Sequence, residues 1–244
     1  MITKVTGFII HVTSYKETSL VIQLLTKEYG LIGVMAKGVK SIKSRLRAMT
    51  LPFTYGYFYI YYKEGKLSIL NDVDIINPFK NIHNDIEKLT YLNYLAELSL
   101  QVVKETEEKV IFDLLTMAVL KIEDGLDPQS ISHILEMKYL PMLGVELCLD
   151  ACVLCERKTN IITISMDKGG LLCSSCYHNE PLIPVKVIKL LRLYQMIDIR
   201  SIKKLNVSDE EKKTIELFLD NYYSKYTGIY LNSKEFLNKL KNIN

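Results

Sequence analysis

The feature that most constrains this chain is a set of four cysteines arranged as two close pairs. The pairs read CVLC and CSSC with seventeen residues between them, and they consist of Cys152, Cys155, Cys173 and Cys176. Each short pair can turn the backbone around one side of a metal ion, and four thiolates complete the tetrahedron that zinc prefers. The spacing therefore predicts one structural Zn2+ per chain. A closed four-thiolate shell leaves no open position for water or substrate, which argues against a catalytic metal.

Three alternatives to this zinc site remain open from the sequence. The cysteines could form disulfides, although the start of the chain does not resemble a secretory signal, or they could hold an iron–sulfur cluster. Cys148 or His178 could also replace one of the four ligands, because both lie close to a pair. We interpret Cys148 as a buried free thiol and His178 as a surface residue.

The segment between the two pairs predicts a β-hairpin. Residues 161–166, IITISM, have the β-branched composition of a strand, and residues 167–170, DKGG, predict the turn that follows it. A ribbon of this size has little core of its own and would need the metal to fold. We expect it to be an insertion at residues 148–180 of a helical domain.

The first 80 residues predict five β-strands. Alternating apolar residues and turn signals place the strands at about residues 4–13, 19–26, 31–36, 53–63 and 67–76. The first three form a meander, and an excursion of about fifteen residues leads to the fourth. This order favours a five-stranded Greek-key barrel of the OB type, with a sandwich fragment as the alternative.

After Asn77 and Pro78 the apolar period changes from 2 to 3.6, which predicts helices. We expect them at about residues 82–103, 108–124, 127–140, 185–196 and 209–225, the last opened by a capping box of Ser208 and Glu211. The predicted fold class is α+β. An OB-type domain at residues 1–80 precedes a mainly helical domain at residues 81–244 that carries the zinc ribbon.

Composition and charge narrow the function. The 244 residues contain 48% hydrophobic residues and no apolar run long enough to span a membrane, so we expect a bacterial cytoplasmic protein. The net charge of +3 combines +6 in residues 1–80, −8 in residues 81–150 and +5 in residues 151–244. Basic ends and an acidic middle indicate either polyanion binding at two places or attraction between domains.

No catalytic constellation is apparent. The chain has no GK[ST] phosphate loop, and none of its four histidines has a carboxylate or nucleophile at a meaningful spacing. Asp72 and Asp74 share one strand face, which we interpret as a solvated barrel edge. We therefore expect a protein that is not an enzyme.

The excursion after the third strand is the candidate nucleic-acid site. It places five cations and no acid within eleven residues: Lys37, Lys40, Lys43, Arg45 and Arg47. Long cationic side chains on a flexible loop suit phosphate oxygens, although a loop that only keeps the barrel in solution would look similar. We call residues 37–47 the basic loop and predict that it binds DNA.

A row of tyrosines shares one face of the fourth strand. Tyr55, Tyr57, Tyr59 and Tyr61 could stack on bases, but rows of this kind more often pack on a neighbouring domain, and we favour packing.

Taken in order, these parts resemble the RecO family of bacterial recombination mediators, and the resemblance covers essentially the whole chain. The matching residues are AKG at 36–38, Ser44-Arg45, Leu51, Phe53, Leu143-Gly144, CVLC, Gly169-Gly170 and CSSC. The chain departs from the family after Leu143-Gly144, where Val145 and Glu146 stand in place of a frequent proline, and Cys148 is an additional thiol.

The resemblance implies binding of single- and double-stranded DNA, annealing of complementary strands and loading of recombinase onto DNA coated by the single-strand-binding protein SSB. It also implies RecR and SSB as partners and association with the nucleoid. The alternative is an RNA- or protein-binding module of ribosomal or transcriptional type built from the same barrel and ribbon.

Overall fold

The fold is that of a computed structural model, which describes residues 1–106 and 109–241. By internal contacts the chain divides into two compact units, one of residues 1–123 and 233–244 and one of residues 124–232. The sequence predicts two domains that meet at residue 80, and this domain organisation stays a prediction. Within the described residues no helix is both long and apolar enough to cross a membrane.

The first unit begins with a closed five-stranded barrel, as the alternating pattern predicted. Its strands are β1 (Thr3–Tyr15), β2 (Ser19–Thr26), β3 (Gly30–Ala36), β4 (Tyr55–Tyr61) and β5 (Ser68–Asn77). The strand order is β1-β2-β3-β5-β4, with β3 and β5 parallel and the other pairs antiparallel. Inward residues of all five strands, among them Val5, Leu24, Val34, Phe58 and Val73, form one buried core.

Strand β4 approaches β5 closely at Gly56. A Cβ atom at this position would collide with the main-chain carbonyl oxygen of Asp74. Glycine is required there because backbone, unlike the end of a side chain, cannot move aside.

Helices complete the first unit. They are α1 (Lys80–His83), α2 (Ile86–Glu105), α3 (Val110–Glu123) and, at the end of the described chain, α7 (Asn232–Lys241). Asp85 caps α2 by accepting hydrogen bonds from the backbone N–H groups of Glu87 and Lys88. The start predicted for α3 at residue 108 lies outside the described residues.

The second unit consists of three helices and a small sheet. Its elements are α4 (Pro128–Tyr139), β6 (Cys148–Cys152), β7 (Ile161–Ser165), β8 (Gly170–Cys173), α5 (Val185–Met196) and α6 (Asp209–Tyr226). Both predicted helix starts are present. Asp127 accepts from the N–H of Ser130 at the start of α4, and Ser208 and Glu211 form the capping box of α6.

Candidate metal centre and nucleic-acid interface

The four cysteines of the two pairs lie together in the second unit. Their sulfur atoms are all within 4.8 Å of one another, and the sulfurs of Cys155 and Cys173 are 3.6 Å apart. Four sulfurs at about 2.3 Å from a tetrahedral zinc ion would be about 3.8 Å from each other. The donor set therefore fits a tetrahedral thiophilic metal ion.

Backbone turns bring the sulfurs together. The carbonyl of Cys152 accepts from the N–H of Glu156 at 2.8 Å, and the carbonyl of Cys173 accepts from the N–H groups of Cys176 and Tyr177 at 3.0 Å. Glu156 has a φ of +60°, which lets the first pair turn back on itself. Each CxxC segment is thus a closed knuckle.

Sheet β6-β8-β7 carries these knuckles. Residues 161–165 form the predicted strand, β7, and Gly170 begins the return strand β8. A Cβ atom at Gly170 would collide with the carbonyl oxygen of Cys148, so this glycine lets β6 and β8 approach closely. The sheet holds Cys152 and Cys173 buried, while Cys155 is exposed.

The cluster favours partial ionisation. Burial opposes the charge on Cys152, but hydrogen bonds from backbone N–H groups, including those of Leu154 and Cys155, bring its pKa down to about 6. The pKa of Cys176 is raised to about 12, chiefly by its hydrogen bond with Cys155. Neighbouring thiolates repel one another, and a divalent cation at their centre would remove that repulsion.

Cys148 and His178 are not members of the metal-binding group found among the described residues. The prediction that Cys148 is buried is wrong, because its side chain is exposed. Cys148 begins the edge strand β6, where the alternation turns Leu149 into the core and leaves Cys148 outside. His178 is exposed, as predicted.

The basic loop lies in the first unit, between β3 and β4. All five of its predicted DNA-binding cations, Lys37, Lys40, Lys43, Arg45 and Arg47, are exposed. Across the described parts of the chain, Lys37, Lys43 and Arg47 form no ion pair. Positive charge with free donors is what phosphate recognition requires.

This segment has more regular structure than the flexible loop that the sequence predicted. It is a series of hydrogen-bonded turns followed by a 3-10 helix at Arg45–Thr50. Val39 is buried, and Leu46 and Met49 pack against the barrel core. Because the apolar residues alternate with cations, burying the former holds Arg45 and Arg47 at the surface.

One ion-pair partner of the basic loop could not be predicted from the sequence. Asp72 on β5 accepts a hydrogen bond from Arg45 at 2.6 Å. The pKa of this carboxyl is lowered, first by the N–H of Val73 and then by Arg45. Asp72 therefore competes with any phosphate for Arg45, and a separation of 27 residues hides the pair from pattern reasoning.

The tyrosine row divides into different environments. Tyr55 packs on Phe79 and Phe112 with ring centroids 6.1 and 6.4 Å away, and burial raises its pKa. Tyr59 donates a hydrogen bond to Asp74 at 3.0 Å. Tyr57 and Tyr61 are exposed, and the ammonium of Lys4 lies 3.6 Å from the centroid of the Tyr57 ring.

A closed OB-type barrel with a cationic excursion, followed by helices that carry a four-cysteine cluster, defines the class: a two-part barrel and cysteine-ribbon protein. Comparison with models of protein families identifies one family within that class. The model for the N-terminal part of recombination protein O matches residues 1–79, and the model for its C-terminal part matches residues 83–235. The chain belongs to the recombination protein O (RecO) family, whose role is DNA repair and recombination.

Similar proteins span the whole chain. A DNA repair protein RecO of Listeria monocytogenes is 35% identical over 97% of this chain and 94% of its own length. DNA repair proteins RecO of Bacillus cytotoxicus and Bacillus pumilus are 36% and 35% identical, over 98% and 100% of this chain and 98% and 96% of their own lengths. The family expected from the sequence is confirmed.

Proposed function

We propose that the protein binds single- and double-stranded DNA through the basic loop. The observation that carries this proposal is the exposure of all five cations of the loop, three of which have no side-chain hydrogen bond or ion pair among the described residues. Such side chains bind phosphates of any sequence and release counterions as they do so. Membership of a DNA repair family supports DNA as the polyanion.

The same reasoning supports annealing of DNA strands without ATP as an energy source. The second unit has its own exposed cations, which are Lys186, Lys189 and Arg192 on one face of α5, and Lys203 and Lys204 after it. Two complementary strands repel each other through their phosphates, and a protein with two cationic regions can hold both and reduce that repulsion. The chain has no GK[ST] loop, so we expect annealing to be independent of ATP and not to involve catalysis.

The metal in this account is a structural Zn2+. Cys152, Cys155, Cys173 and Cys176 would hold it, and the separation of their sulfur atoms supports that assignment. Bound there, the ion would fix the ribbon of the second unit. The four thiolates complete its coordination and leave no position for a substrate.

The proposed partners rest on membership of the family and not on the geometry of the structure. We propose RecR and SSB as direct partners, and the recombinase as an indirect one that is loaded onto SSB-coated single strands. Association with the nucleoid would follow from DNA binding.

The test of DNA binding is a triple substitution in the basic loop. Replacing Lys43, Arg45 and Arg47 together by Ala should weaken binding to all DNA sequences about equally. Each phosphate contact contributes about 0.7–0.9 to the slope of log affinity against log salt, so the slope should decrease by roughly 2–3. Binding of labelled oligonucleotides at four salt concentrations measures both quantities.

A matched control removes three charges elsewhere on the barrel. Lys27, Lys63 and Lys66 are exposed cations in the turns between strands, and replacing all three by Ala should leave most of the affinity and the salt slope in place. If the loop variant and the control lost affinity equally, general charge would explain binding and the loop would not be the site. If DNA of neither kind bound while RNA did, the binding-module alternative would replace this proposal.

A further inference from the structure

A small cavity lies beside the basic loop, within the first unit. Its volume is about 160 Å3, and its apolar lining comes from Ala48, Leu51, Pro52, Phe53, Ile75 and Pro78. Leu51 and Ile75 are exposed, so the cavity can be reached from solvent. A cavity of about 150 Å3 with aliphatic and aromatic walls is large enough to bind benzene. This one therefore has room for a single six-membered aromatic ring.

Two aromatic residues near the cavity have unusual backbone conformations. Phe53 has a φ of +69° and Phe79 a φ of +47°, a region that bulky side chains rarely adopt. The N–H of Phe53 donates to the carbonyl of Ile9 at 2.8 Å, and the carbonyl of Thr54 accepts from Ile9 at 3.0 Å. Backbone strain that neighbouring hydrogen bonds maintain is found most often at functional sites. Phe53 is half-buried and lines the cavity.

The polar lining consists of Thr54, Asn77 and His83. The hydroxyl of Thr54 donates to the carbonyl of Leu51 at 2.9 Å, and the other two side chains offer a donor and an acceptor. The side-chain oxygen of Asn77 accepts from the N–H of Phe79 at 2.8 Å, which leaves the amide nitrogen of Asn77 as the group that can donate. The Nδ1 atom of His83 lies 2.8 Å from the carbonyl oxygen of Phe79. Nδ1 must therefore carry the proton, and in the neutral ring Nε2 is the acceptor. The Watson–Crick edge of a base presents donors and acceptors to match.

Two exposed cations are close in sequence to residues that line the cavity. Arg47 directly precedes the lining residue Ala48, and Lys80 follows Pro78 by two positions; both are exposed. A base in an apolar recess with cations at its rim is the arrangement by which proteins hold unstacked nucleotides, because the ring stacks inside and the phosphates stay at the charged surface.

We propose that this cavity binds one unstacked pyrimidine base of single-stranded DNA, with its ring against Phe53 and its neighbouring phosphates at Arg47 and Lys80. The recess is close in size to one six-membered ring, so a pyrimidine fits it more closely than a two-ring purine does. The inference rests on the proposed DNA binding by the basic loop and adds a base-binding site to it. It gives the protein a means to prefer single strands, because a base in a duplex is not available to enter the cavity.

The test fills the cavity with a side chain. Ile75→Trp introduces a large ring at the lining, and Ile76→Trp is its matched control, since Ile75 and Ile76 are 44% and 39% exposed and only the former lines the cavity. Binding is measured for oligo(dT), for oligo(dA) and for an abasic deoxyribose-phosphate oligomer of equal length. The wild type should prefer oligo(dT). Ile75→Trp should lower oligo(dT) affinity about tenfold, the loss expected for one stacked base, without changing the salt slope or the abasic affinity.

A second measurement needs no variant. An oligonucleotide with one 5-iododeoxyuridine, irradiated with the wild-type chain, should crosslink to Phe53 or His83, and this result decides the question if Ile75→Trp does not fold. Unchanged oligo(dT) affinity in folded Ile75→Trp, alongside weaker binding by the loop variant, would overturn the base site and leave the loop as the DNA site. If Ile75→Trp lost binding to a partner protein but kept its oligo(dT) affinity, the base site would be overturned in favour of a protein-docking pocket. If the wild type bound no oligonucleotide, the base site and the proposed function would both fail.

Discussion

Replacing Cys152 by Ser should unfold the ribbon while the helices of the second unit remain folded. Cys152 is buried and its sulfur lies in the four-cysteine cluster, so serine would remove one of four thiolates from the centre. Helices α4, α5 and α6 pack on one another independently of that cluster. We therefore expect a local effect and not a global one.

The magnitude follows from comparing the metal with the apolar packing around it. The buried cluster next to the metal centre contains Leu172 and two of the ligands themselves, Cys152 and Cys173. Burying one leucine side chain stabilises a fold by about 1.5–3 kcal/mol, whereas structural zinc contributes about 10–16 kcal/mol in small domains. Loss of the metal thus removes more free energy than the apolar packing at the metal centre supplies.

Elemental analysis and limited trypsin digestion measure the effect. Wild type should contain one zinc per chain, and Cys152→Ser much less. The variant should be cleaved faster at Arg157 and Lys158, which are exposed in the ribbon. Cys148→Ser is the matched control, because Cys148 is an exposed thiol outside the metal-binding group. A variant with full zinc content and unchanged trypsin resistance would refute the structural role of the metal.

Two smaller perturbations test other contacts. Asp72→Asn should free Arg45 from its ion pair, tighten DNA binding several-fold and steepen the salt slope by about 1, while Asp74→Asn, which removes a charge from the same strand, should steepen it less. Asp127→Ala should lower the free energy of unfolding by about 1 kcal/mol through loss of the α4 cap. Burial opposes the charge of Asp127, but hydrogen bonds from the first turn of α4 and the ammonium of Lys212 hold its pKa below the usual range, so its contribution is present at neutral pH and is lost as pH falls below about 4. Chemical denaturation should show a larger difference between Asp127→Ala and wild type at pH 7 than at pH 3; equal differences at both would contradict the linkage.

Much of the fold could be predicted because its signals are local. Alternation located the barrel strands, and the turns at Gly30 and Gly65 have the positive φ that glycine allows. The limits of β2 and α5 match the predicted ones to the residue. Such elements carry their own caps, turns and apolar faces in consecutive residues.

The missed elements depend on distant partners. Helix α7 is short and has few apolar residues, and its Ser233 is held by the carboxylate of Glu97, 136 residues away. Strand β6, five residues long, pairs in parallel with β8, so no hairpin turn marks it in the sequence. The left-handed Phe53 and Phe79 carry no sequence mark, because glycine is the residue that usually signals this conformation. The cavity that Phe53 lines could therefore not be predicted from the sequence.

The candidate metal ligands were easier to predict than the surroundings of the candidate DNA-binding residues. Spacing alone brought four cysteines into one group, because two CxxC turns leave few arrangements. The basic loop was found by its charge density, but its pairing with Asp72 and its 3-10 helix arise from packing of Val39, Leu46 and Met49 against the barrel.

The most direct test of the central claim is annealing of two complementary fluorescent oligonucleotides, with and without SSB, ATP and added salt. We predict that the protein accelerates annealing at low salt, that ATP has no effect, that salt reduces the rate steeply and that acceleration persists on SSB-coated strands. The triple Ala variant of Lys43, Arg45 and Arg47 should be slower than the triple Ala control of Lys27, Lys63 and Lys66. An ATP requirement, or no acceleration over the protein-free rate at low salt, would contradict the account.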